Sequence, residues 1–186
     1  MLSAIECEGP VVYLEHKLLA SNMLDFLGSG GRKTVQYDVP AEGSSAPVSD
    51  EWTPLPLGKA ATRREGRDIT LVSVAVGVHR CLEATAVLEK KGVSAGVLDL
   101  RTVSPLDKDT LCQAVSKSGC LLVVDEDYRD FGLSGELAAV VLEAGIPLKY
   151  GRVCTEETIP YSRELEDQVL PGTRRIVERA LKLLEQ

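Results

Sequence analysis

Several groups of residues in this sequence have the types or spacing from which chemistry could be built. Gly28-Ser-Gly-Gly-Arg-Lys-Thr34 has the outline of a phosphate-cradling loop, which needs glycine directly before its lysine and a helix directly after it. Arg32 takes the glycine position and the following Val35-Gln-Tyr-Asp-Val-Pro40 is extended in character, so a linker is the better reading. Gly132-Leu-Ser-Gly-Glu136 outlines a nucleophile elbow, but Glu136 replaces the second glycine and neither histidine lies downstream of Ser134. Ser134 reads instead as a helix cap. His16 and His79 are too few for a metal cluster, and no H-E-x-x-H pair exists. His79 falls one helical turn before Glu83, the spacing of an i,i+4 pair. It also follows a strand at the end where open α/β sheets bind ligands. Acidic residues and Arg101 gather at the same edge: Asp99, Asp125-Glu126-Asp127 and Glu156-Glu157 each close or follow a strand. His79, Arg101, Asp125 and Glu126 are therefore the candidate functional residues. Carboxylates so placed can do acid–base work, form structural ion pairs with Arg101, or make an acidic docking surface. Without a nucleophile, phosphate loop or metal set beside them, the structural reading is preferred.

The elements that position this edge follow from hydrophobic patterning. Ile69–Val76 is a β-branched run suited to a strand buried on both faces. Val78, Cys81, Leu82, Thr85 and Leu88 then recur at helical spacing up to Lys90-Lys91-Gly92. Ser94–Leu100 is a second strand. Asp107 is placed to cap the next helix, with Leu106 and Leu111 as its hydrophobic staple. Leu121–Val124 is a third strand, Ser134–Ala144 a third helix and Leu148–Cys154 a fourth strand. Thr173–Leu184 is an amphipathic helix whose buried face would carry Ile176, Val177, Ala180, Leu181 and Leu184, with Arg174, Arg175, Glu178 and Lys182 outside. Alternating strands and helices with short connections imply right-handed βαβ units and a mainly parallel sheet, a three-layer α/β fold. Upstream, Val11-Val-Tyr-Leu-Glu15 reads as one more strand. Residues from about 28 to 56 are rich in Gly, Ser and Pro around the short strand-like Thr34-Val-Gln-Tyr37.

Composition narrows the function classes. The chain has 186 residues, 44% of them hydrophobic and 26% charged, with 28 acidic against 21 basic residues and a net charge of -7. Its pI of about 5.0 argues against general nucleic-acid or anionic-membrane binding, both of which need a basic footprint. No apolar run approaches the roughly 18 residues of a membrane span. The charged start Met1–Glu8 does not resemble a signal peptide. The five cysteines are odd in number and hold no C-x-x-C pair, which favours a reduced cytoplasm over a disulfide framework or zinc site.

Several segments together resemble one family. Pro10-Val-Val-Tyr-Leu-Glu-His-Lys17, Pro56-Leu-Gly-Lys-Ala60, Arg64-Glu-Gly-Arg-Asp68, Asp99-Leu-Arg-Thr-Val-Ser-Pro-Leu-Asp107 and Phe131-Gly-Leu-Ser-Gly-Glu136 look like the C-terminal part of the beta subunit of thiamine-diphosphate-dependent 2-oxoacid dehydrogenases. Ile159-Pro-Tyr161, Leu170-Pro171 and the last helix agree. The resemblance implies a transketolase C-terminal domain over 56–186, with a mostly parallel five-stranded sheet, one antiparallel strand and helices on both faces. It implies that 1–19 is the last strand region of a pyrimidine-binding domain and 20–55 an interdomain linker. Transketolase and deoxyxylulose-phosphate synthase relatives share the domain but fit Pro56–Ala60 less well. A stand-alone binding or regulatory module of the same fold is the alternative of a different class.

The same resemblance carries expectations about cofactors and partners. The complete enzyme would use thiamine diphosphate and magnesium, both held outside this chain. The chain alone is then expected to be inactive and to bind neither. A potassium site of related beta subunits would fall on the carbonyls of Ala4 and Ile5, but Cys7 and Gly9 stand where an Asp and an Asn would be. A thiol and a hydrogen are poor ligands for a hard cation, so the site should be weakened or lost. Implied partners are a second copy through the C-terminal domain, an alpha-type subunit and the acyltransferase core. Glu156, Glu157 and Glu185 are the acidic residues expected to face the core's basic binding domain.

Overall fold

The computed structural model describes residues 1–16, 19, 50, 51 and 53–185. The loop-like Gly28–Thr34, the short Thr34–Tyr37 segment and nearly all of the expected linker lie outside the described residues. A short helix α1 (Leu2–Glu6) opens the chain. The body then runs β1 (Ala61–Arg64), β2 (Ile69–Ser73), α2 (Val76–Glu89), β3 (Ala95–Asp99), α3 (Lys108–Ser118), β4 (Cys120–Tyr128), α4 (Leu133–Glu143), β5 (Lys149–Thr155), α5 (Arg163–Val169) and α6 (Thr173–Leu184).

The five strands form one sheet in the order β1-β3-β2-β4-β5, with β1 antiparallel to β3 and all other pairs parallel. Every residue of β2 and of β3 is buried, as befits strands covered on both faces. One face packs Leu71, Val97, Leu122 and Val153 against Cys81, Ala84 and Leu88 of α2 and Ile176, Ala180 and Leu183 of α6. The other packs Val72, Leu98, Leu121 and Val123 against Leu111 and Val115 of α3 and Leu137 and Val141 of α4. This is the three-layer α/β fold with a single antiparallel strand.

Local chemistry explains most boundaries. Asp107 caps α3 by accepting from the N–H of Thr110 at 3.2 Å, and Leu106 packs on the cluster that holds Leu111. Gly119 closes α3 in the left-handed region at φ 62°, which glycine adopts at no steric cost. Other boundaries depart from the sequence reading. Strand β2 stops at Ser73 and not at Val76, because Ala75 turns to φ 49° and α2 begins at Val76. Strand β4 continues through the polar Asp125–Tyr128 because β5 remains beside it, with a register irregularity between Val124 and Tyr128. Ser134 is not a cap. Gly132 occupies that position, and Ser134 lies inside the first turn of α4 with its carbonyl accepting from the Tyr150 hydroxyl at 2.7 Å. Val11–Glu15 forms no strand: Val12 and Leu14 are 85% and 81% exposed, and the described residues offer the segment no ladder to join. On α6, Leu183 is fully buried while Leu181 and Leu184 are partly buried, and Arg175 bends inward to the carbonyls of Val169 and Cys154. Among the described residues, no helix is long and apolar enough to cross a membrane.

Candidate functional site

Strand order fixes where a ligand crevice belongs. From β2 the chain crosses to β3 on one side, and from β4 it crosses to β5 on the other, so the order reverses between β2 and β4. Open α/β sheets bind ligands at that point, beyond the carboxyl ends of the strands. At this point the Ser73 hydroxyl donates to the Val124 carbonyl at 2.6 Å, a side-chain closure between β2 and β4. Gly77 of α2 lies so near that a Cβ there would sit 2.1 Å from Ser73 Oγ.

Above this closure lies a charged junction. Glu126 Oε1 accepts from Arg80 at 2.9 Å, and Glu126 Oε2 pairs with His16 Nε2 at 2.7 Å. Arg80 also donates to the carbonyl of Pro171 at 3.1 Å. One carboxylate therefore ties together the N-terminal segment, α2, β4 and the turn before α6. His79 is in the first turn of α2 at the same end of the sheet, and Glu83 accepts from the Thr173 hydroxyl at 3.0 Å.

Asp125, one residue away from Glu126, belongs to the opposite face. Burial pushes its carboxyl above the usual range, with the neighbouring charges of Asp127 and Glu126 adding to the effect against a hydrogen bond from the Asp127 N–H. Asp125, Cys154, Ser134, Arg152 and Tyr150 form a polar group under the start of α4. Burial raises the Cys154 thiol despite the hydrogen bond of Ser134, and likewise those of Cys81, Cys112 and Cys120, so these sulfurs are thiols and poor nucleophiles at neutral pH. All five cysteines are unpaired.

Arg101 does not join this group as an ion-pair partner. It is exposed at φ 58° and its N–H donates to Asp99 at 3.1 Å, while the charge of Asp99 is matched by Arg63 of β1 through contacts of 2.7 and 3.1 Å. The expected four residues are thus split: Glu126 pairs with Arg80 and His16, Asp125 stands with Cys154, His79 begins α2, and Arg101 lies just past β3. Sequence reasoning missed Arg80 and Arg63, the cations that neutralise the edge. Arg80 lies 46 residues from its partner Glu126, a separation that no local motif reports.

Ala4 and Ile5 sit within α1, their N–H groups both donating to the Met1 carbonyl. Cys7 is exposed, and Gly9 has nothing within 4 Å of a notional Cβ. Among the described residues, no group of three or more His, Cys, Asp or Glu is arranged to hold a metal. The junction can position segments and neutralise charge. It offers no activated nucleophile and no open coordination site among the described residues.

Comparison with known proteins gives this geometry its context. The family described as transketolase, C-terminal domain, matches residues 58–176. The chain is 31% identical over 188 residues to a pyruvate dehydrogenase E1 component subunit beta, mitochondrial, of Dictyostelium discoideum, covering 99% of this chain and 48% of that protein. It is 34% identical over 190 residues to an acetoin:2,6-dichlorophenolindophenol oxidoreductase subunit beta of Bacillus subtilis strain 168, again 99% of this chain and 48% of the relative. A solved split gene transketolase, described as an inactive beta4 tetramer, shares the fold with a TM-score of 0.65 at 24% identity, over 72% of this chain and 44% of the other. The chain spans about half the length of the curated relatives it matches, and the part matched is their C-terminal half. It belongs to the transketolase C-terminal domain family and corresponds to the C-terminal half of beta subunits of the pyruvate dehydrogenase type.

Proposed function

We propose that this chain is the C-terminal portion of a beta subunit of a thiamine-diphosphate-dependent 2-oxoacid dehydrogenase, supplying assembly and docking surfaces to oxidative decarboxylation. The observation that carries the reading is the end-to-end match to the C-terminal half of such subunits. Residues 1–19 act as the end of the preceding pyrimidine-binding domain, 20–55 as the interdomain connection and 56–186 as the C-terminal domain. Thiamine diphosphate and magnesium serve the complete enzyme and are held by parts other than this chain. The partners are a second copy through a two-fold contact of the C-terminal domains, an alpha-type subunit and the acyltransferase core. Any potassium affinity at Ala4 and Ile5 is weak, given Cys7 and Gly9. A reducing cytoplasm suits five unpaired thiols.

Calorimetric titration of the chain with thiamine diphosphate and magnesium is the direct test. No saturable heat is expected from the chain alone. A site of roughly micromolar affinity (about -8 kcal/mol) would overturn the assignment of the cofactor to other parts.

A further inference from the structure

The two edges of the sheet are finished differently. At β5, Arg175 donates to the Cys154 carbonyl at 3.2 Å. At β1, the strand order leaves one side without a neighbouring strand among the described residues. An open edge presents unpaired N–H and C=O groups that a further strand can join. The register of β1 with β3 shifts between Thr62 and Arg64, so Arg63 is an extra residue at a bulge. Beside this edge a groove of about 60 Å³ separates β1 from α3, with Thr62, Arg64, Gln113 and Lys117 among its walls. Gly96, two residues from Leu98 and so on the same side of β3, brings no side chain to fill it. That is room for a few waters, or for the carboxyl end of one side chain.

The charges at this corner run against the net charge of -7 on the whole chain. Arg64 pairs with Glu89 at 3.1 Å, which brings the end of α2, and with it Lys90 and Lys91, to the strand. Lys117 of α3 pairs with Glu65 at 3.0 Å, and Arg67 is exposed just beyond. The Asp68 carboxylate accepts from the Ser94 N–H at 2.6 Å. Glu65 and Glu89 are 71% and 68% exposed, so their ion pairs are weak and open to exchange with an incoming carboxylate. A second copy adding its own β1 about a two-fold axis would set Arg63 and Arg64 against their counterparts, which disfavours that partner. We propose that the open edge of β1 accepts an extended acidic segment of a partner protein as an added strand, one of whose carboxylates meets Arg64 and Lys117 at the groove. This edge lies across the sheet from β4 and β5, and the inference does not depend on the enzyme reading above.

The test uses the full chain and short fluorescein-labelled peptides in which glutamate alternates with valine or threonine, followed by anisotropy. The acidic peptide should bind saturably at roughly 100 micromolar or tighter, and less tightly as salt rises. A version with lysine in place of glutamate should bind at least about ten-fold less. So should a version that keeps every side chain but is N-methylated at alternate residues, because it cannot complete the ladder. The unmodified peptide should slow amide exchange at 61–64. Arg64→Gln with Lys117→Gln should weaken binding about ten-fold and flatten its salt dependence, while leaving the urea midpoint nearly unchanged, since both ion pairs are exposed. Equal binding of the N-methylated and unmodified peptides, equal binding of the lysine and glutamate peptides, or no saturable binding would overturn the proposal. Competition by a heparin oligosaccharide would overturn it too, by assigning the cations to polyanions that carry no strand. So would dissociation of a dimer of the chain by the acidic peptide in sedimentation, which would assign the edge to a second copy.

Discussion

Arg80 donates to both Glu126 and the Pro171 carbonyl with only 14% of its side chain exposed, so little water stands ready to replace it. Arg80→Met should cost about 1.5–3 kcal/mol, the range for hydrogen bonds to charged groups, read from the urea midpoint. Glu126→Gln should cost less, since an amide oxygen can still accept from Arg80. Two carboxylates give opposite pH responses. Burial disfavours the charge on Asp107, but hydrogen bonds from the Thr110 hydroxyl and the N–H groups of Ala60 and Thr110, with Lys59 nearby, outweigh it and hold the carboxyl below its usual range. Its contribution is complete above the unfolded value and fades as pH falls through the folded one. Asp107→Asn should therefore lose stability at neutral pH and show a shallower acid decline. Asp125 is raised by burial, so its contribution is present below the unfolded value and lost as pH rises through the folded one. Asp125→Asn should gain stability at neutral pH and change little in acid. Urea unfolding from about pH 3 to about pH 8 checks both signs. At this scale the sequence exposed the anions readily, because Asp125 and Glu126 stand together after an apolar run. It concealed the cations, because Arg80 reaches Glu126 and Arg63 reaches Asp99 only through the folded sheet.

Among the elements, the β1 edge is the most exacting. Gly66 lies between β1 and β2, and a Cβ there would stand 1.9 Å from the Gly96 nitrogen of β3, a backbone atom that cannot step aside. Gly66→Ala should destabilise by about 3 kcal/mol or more and speed amide exchange at Thr62 and Arg64. Gly135→Ala, inside α4 with nothing within 4 Å, should instead stabilise by about 0.5–1 kcal/mol, read from thermal melts. Helix α6 was readable from its residues to the last turn, since its apolar stripe and polar face differ sharply. Strand β1 was not readable from patterning: Ala61-Thr-Arg-Arg64 is short and half exposed, and only pairing with β3 makes it a strand. Val11–Glu15 erred in the other direction, because β-branched composition describes a side chain's fit and cannot provide a neighbouring ladder.

For the whole molecule, the proposed two-fold contact predicts a concentration-dependent mass. Light scattering at roughly tens of micromolar should give a dimer, and a strict monomer at low and high salt would leave only an isolated folded domain. The net charge of -7 predicts no retention on heparin near about 0.1 M salt, where screening still permits attraction over roughly 10 Å. The junction at Glu126 also has a mechanical meaning. The N-terminal segment is attached to the body by the His16–Glu126 contact and by the Ser3 hydroxyl donating to the Leu55 carbonyl, while β2, β3, β4 and β5 are held by continuous ladders. Tension applied at Met1 therefore meets a few side-chain links before it meets the sheet. Pulling from Met1 should show a low-force step, the release of the leading segment, before the force at which the sheet ladders part.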